Sequence, residues 1–77
     1  MSDTWRYELK NETTGETIHG HPTTLKKAVR KGLNRLYKET NDFTTSRLFT
    51  DQEAWLLAEA DNGSLRNKNF LLSVEAV

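Results

Sequence analysis

The side chains with the clearest chemical capacity are two histidines, His19 and His21, in the stretch HGH, and six cations in TTLKKAVRKGLNRLYKE: Lys26, Lys27, Arg30, Lys31, Arg35 and Lys38. An imidazole pair at i, i+2 on an extended strand points to one face, an arrangement in which two ring nitrogens can share a metal ion. A stable site needs one or two more ligands, and Glu16 or another carboxylate is the only source for them. Since spacing fixes no third ligand, the simpler reading is two exposed histidines at a strand end before Pro22, and no metal or other cofactor is expected.

Covalent catalysis has less to work with. The absence of cysteine removes thiolate nucleophiles, thiolate metal sites and a disulfide framework together. No G-x-S-x-G elbow occurs, and the TTG and DNG turns are not phosphate loops. A pocket that shields a reaction from water also needs a concave volume that 77 residues rarely enclose. The expectation is a protein that is not an enzyme.

The cations carry more weight. Residues 23–39 hold those six against a single acid, Glu39, so the segment stands at +5 in a chain of zero formal net charge and the remainder stands at −5. Such segregation creates a local positive field. Six phosphate contacts would be enough for salt-dependent nucleic-acid binding. The whole-chain pI of about 6.7 is nevertheless well below that of a basic nucleic-acid module. Electrostatically guided docking on another protein therefore stands first among the expected functions, and nucleic-acid binding through the same six side chains second. Asp51, Glu53, Glu59 and Asp61 offer an acidic counterpart within the fold, across a dimer or on a partner.

The cations have to be held by an element, and the apolar pattern names it. Leu25, Ala28, Val29, Gly32, Leu33, Leu36 and Tyr37 fall on one stripe of a helix over 24–39, with Thr23 or Thr24 as its cap. Gly32 lies inside that stripe, where close approach to a sheet would offset its poor helix propensity. Upstream, Trp5, Tyr7 and Leu9 alternate with Arg6, Glu8 and Lys10, the period of a half-buried strand, and the turn-forming NETTG leads into a returning strand. Residues 4–20 read as a β-hairpin ended by His21-Pro22.

Residues 43–63 are ambiguous. Thr50 with Glu53 fits a capping box and local propensity leans to a second helix over 51–61 with Gly63 beyond it, while 47–49 and 55–57 offer short strands as the alternative, with Asn62-Gly63 suited to a hairpin turn after them. Phe70, Leu72, Val74 and Ala76 alternate in a final strand. Its apolar character on both faces points to a central position, or to an edge or patch that pairs with a partner or a second copy as a homodimer through 70–77. The outcome is an α+β, two-layer fold: an antiparallel sheet made of the N-terminal hairpin and the C-terminal strand, covered by the amphipathic helix 24–39.

At 77 residues this is a single domain, 1–77. A mean hydropathy of −0.76 and an apolar fraction of 35% describe a well-hydrated chain. The start MSDTWRYELK shows no secretory leader, and no apolar run is long enough to cross a membrane, so a cytoplasmic protein without membrane contact is expected. The glycosylation motifs at Asn11 and Asn62 should then be idle. Compact domains of this kind are common among phage or mobile-element proteins that modulate a host protein, so the expected function is a regulator or inhibitor acting by protein–protein contact.

Overall fold

A computed structural model describes residues 4–42 and 44–77, so Phe43, where the ambiguous stretch begins, lies outside the described residues. The elements in chain order are β1 (Trp5–Asn11), β2 (Thr17–His19), α1 (Leu25–Thr40), α2 (Ser46–Ala58), β3 (Ser64–Asn67) and β4 (Phe70–Ala76). The strands form one antiparallel sheet in the order β2-β1-β4-β3, with α1 packed over it and α2 packed on α1. The predicted α+β arrangement is therefore observed, and β3 is an addition to it.

The first and last strands occupy the centre of the sheet. β1 and β4 pair along their whole length, from Trp5 opposite Ala76 to Asn11 opposite Phe70. Because side chains alternate across a sheet, this register puts Tyr7, Leu9, Leu72 and Val74 on one face and Arg6, Glu8, Lys10, Leu71, Ser73 and Glu75 on the other. The first set meets α1. Leu9, Ala28, Val29, Leu33, Leu36, Leu56, Leu72 and Val74 form one buried cluster, with Trp5, Tyr7, Ile18 and Phe70 against it.

Helix α1 occupies nearly the span its periodicity predicts. Thr24 is extended and accepts from the Lys27 amide at 3.3 Å, which closes the first turn. Asn41 ends it in the left-handed conformation at φ 53°, and the Lys68 ammonium donates to the Thr40 carbonyl at 2.6 Å. Gly32 does what its place in the stripe implies. A Cβ there would stand 2.8 Å from Leu72 Cδ1 and 2.9 Å from Tyr7 Cβ, so hydrogen alone lets the helix approach the sheet this closely. Gly20 plays the same part from β2's end, where a Cβ would collide with the Tyr7 ring. The Tyr7 side chain is thus lodged between two glycines.

Four expectations are corrected. The second helix begins at Ser46, and its cap is Thr45, whose Oγ1 accepts from the Leu48 amide at 3.1 Å, so the proposed start at 51 is five residues late. Thr50 lies inside α2 and donates back to the Ser46 carbonyl at 2.8 Å, so the Thr50–Glu53 capping box does not form. The strand alternatives at 47–49 and 55–57 are helical. Finally, strand 70–77 is not an edge: β1 bonds to one side of β4 and β3 to the other, which removes edge pairing as its route to a homodimer. The free edges belong to β2 and β3.

The hairpin 4–20 is present, and Pro22 interrupts its pairing without ending it. Gly20 donates to the Tyr7 carbonyl at 3.0 Å, and Trp5 and Thr23 exchange backbone bonds of 2.7 and 2.8 Å. His21 and Pro22 therefore face the single residue Arg6, a bulge that accommodates the missing proline donor. Asn11, first residue of one glycosylation motif, uses its side-chain oxygen to hold the turn, accepting from the Thr13 and Thr14 amides and from Asn69 Nδ2.

Two substitutions test this packing. Gly32→Ala, which in an exposed helix would stabilise by about 1 kcal/mol, should instead destabilise by roughly 1–3 kcal/mol through overpacking on Tyr7 and Leu72, as read by urea denaturation. Thr45→Ala should cost about 1 kcal/mol as the loss of a cap, whereas Thr50→Ala should shift the same midpoint far less.

Candidate functional site

The six cations of α1 do not form one uniform face; the fold divides them into three groups. Arg30 turns to α2, where its Nε lies 3.1 Å from both carboxylate oxygens of Glu53. Glu53 is the better shielded partner, its side chain 12% exposed against 57% for Arg30. Of the four acids expected to answer the basic helix, Glu53 is the one that pairs with it among the described residues. Lys26 and Lys27 stand on the first turn. The remaining three, Lys31, Arg35 and Lys38, follow one another at intervals of four and three residues and so share a helical face.

That face borders a groove. Lys31, Asn34, Arg35 and Lys38 form one wall, and Tyr7, Ile18, His19, Gly20 and His21 form the other, around a volume of about 450 Å³. Among the described residues, no carboxylate lines it. Within the helix, Arg35 Nε donates to Glu39 Oε1 at 2.8 Å, which holds the guanidinium along the helix surface. Lys31 and Lys38 have no acid within salt-bridge distance among the described residues.

Two glycines bear on Tyr7, which lines this groove. Gly32 sets the height of α1 above the sheet, and Gly20 lets the Tyr7 ring lie against the β2 end of the chain. The basic pattern was legible in the sequence. The opposite wall was not, since His19, Gly20, His21 and Tyr7 meet Lys31 and Lys38 only after β2 pairs with β1 and α1 crosses over.

A second constellation occupies the face of the sheet away from the helices. Glu8 and His19 are directly opposite in register, and His19 Nε2 lies 3.2 Å from Glu8 Oε1. Glu75, on β4, brings Oε1 to 3.9 Å from the same nitrogen and accepts from Arg6 Nε at 2.7 Å. The histidine pair seen in the sequence does not converge: His19 joins two glutamates, and neither His21 nor Glu16 belongs to the cluster.

No family model, curated protein or solved structure matches this chain. No helix among the described residues is long and apolar enough to cross a membrane.

The Arg30–Glu53 pair links α1 to α2 with its guanidinium open to solvent, and ion pairs screened in this way contribute about 0.2–1 kcal/mol. A double-mutant cycle of Arg30→Ala and Glu53→Ala should return a coupling in that range that shrinks as salt is raised.

Proposed function

We propose that the protein is a small non-catalytic binding protein, a regulator or inhibitor that docks on an acidic surface of another protein through the cationic groove beside α1. The observation that carries this reading is a groove of about 450 Å³ lined by Lys31, Arg35 and Lys38 with no carboxylate among the described residues of its lining. Packing requires α1 to have a polar outer face, but it does not require that face to be cationic. Stability does not ask for it either. Lys26 and Lys27 occupy the first turn, where the helix dipole disfavours positive charge and where no acid stands. Side chains that add little to the fold and share one sign are suited to long-range attraction and correct orientation of a partner.

The open sheet face argues against single-stranded nucleic acid as the target. Its side chains in the central register are Arg6, Glu8, Lys10, Leu71, Ser73 and Glu75, with no Phe, Tyr or Trp ring among them on which a base could stack.

The reading is tested by capture from a lysate of the source cells, followed by affinity measurement with the purified partner. The wild type should retain a specific protein, with affinity that falls as salt rises. The Lys31→Glu, Lys38→Glu double variant should bind at least roughly tenfold more weakly with an unchanged melting temperature. Recovery of no specific protein, or binding indifferent to the charge reversal, overturns the reading. Tight anisotropy binding of DNA or RNA, lost in the same variant, reassigns the groove to nucleic acid.

A further inference from the structure

We infer that Glu8, His19 and Glu75 form a binding site for a divalent transition-metal ion of the zinc class on the open face of the sheet. The three residues come from three neighbouring strands, β1, β2 and β4, and their ligand atoms all lie within 4.8 Å of one another. Nitrogen and oxygen ligands at about 2.0–2.2 Å from a tetrahedral ion stand about 3.3–3.5 Å apart. The distances from His19 Nε2, 3.2 Å to Glu8 Oε1 and 3.9 Å to Glu75 Oε1, bracket that spacing.

The support around the ligands fits this role. Arg6 Nε holds Glu75 Oε1 at 2.7 Å, the kind of outer contact that orients a ligating carboxylate. Two carboxylates, one guanidinium and a neutral imidazole leave the cluster with one net negative charge, which attracts a dication. Side-chain exposures of 39% for His19 and Glu75 and 40% for Glu8 leave the site open to an ion from solution. At such exposure the pairs contribute little as ion pairs, so stability does not explain the convergence. Coordination through Nε2 replaces the contact with Glu8 and places the ring proton on Nδ1. One nitrogen and two carboxylates favour zinc, cobalt or nickel over magnesium, which prefers oxygen and retains its waters. With three protein ligands, the fourth position takes water or a side chain of a partner.

The ion would cross-link the short edge strand β2 to the two central strands. His19 also borders the groove beside α1, so the same ion would fix the groove's far wall.

The probe is the metal alone, added to the full chain. Zn²⁺ should bind one to one by calorimetry and raise the melting temperature, Co²⁺ should give a visible spectrum, and Mg²⁺ should do neither. His19→Ala, Glu8→Gln and Glu75→Gln should each abolish the zinc shift, and His21→Ala should retain it. Because His19→Ala also alters β2, the imidazole ¹⁵N resonances of the wild type provide a second reading: zinc should move those of His19 and leave those of His21. Absence of a zinc effect on the wild type overturns the inference, as does an effect lost with His21→Ala or retained in His19→Ala.

Discussion

Everything in this fold depends on the pairing of its two ends. β1 and β4 are separated by most of the chain, yet they form the seven-residue ladder at the middle of the sheet. That ladder supplies Leu9, Leu72 and Val74 to the floor of the core, and α1 lies across both strands with Val29, Leu33 and Leu36. Neither hairpin would suffice alone, because two strands do not bury enough apolar surface to be stable in water. Closing a loop of this length is entropically unfavourable until the core is assembled, so helix packing and terminal pairing must form together.

The same ladder places the chemistry. On its covered face Tyr7 is held between Gly20 and Gly32, and the spacing those glycines permit leaves a groove along the cationic side of α1. On its open face the register sets Glu8 beside Ser73 and Arg6 beside Glu75, while β2 adds His19 opposite Glu8. One alternation of side chains thus puts the basic groove toward one face of the sheet and the acidic pair toward the other, and His19, on the edge strand, borders both.

The parts of the fold that could be read in advance are those where a long pattern is repeated. Sixteen residues of α1 carry enough periodic apolar positions to define its stripe and its cap at Thr24. Shorter signals misled. Two threonines, Thr45 and Thr50, both precede helix-favouring residues, and the capping-box spacing to Glu53 favoured the wrong one; Thr45 wins because helix begun there also carries Phe49 toward the core. β3 escaped notice because Leu65 is its only apolar residue and its turn uses Lys68 at φ 54°, where a glycine would have been the signal. The strand exists because β4 offers it an edge to pair with.

The sequence by itself determined the helix, its apolar stripe, its cationic outer face and the alternation of the terminal strands, because each is written in the period of neighbouring residues. It also named His19 as a metal-capable side chain, but it looked to His21 and Glu16 for company. Only the tertiary structure decided that Arg30 would be answered by Glu53, that Lys31, Arg35 and Lys38 would share a groove free of carboxylates, and that His19 would meet Glu8 and Glu75. The physical reason is common to all three. The ion pair depends on how α2 packs on α1, the groove on how α1 crosses the sheet and the cluster on strand register, and all three are set by contacts between residues far apart in the chain.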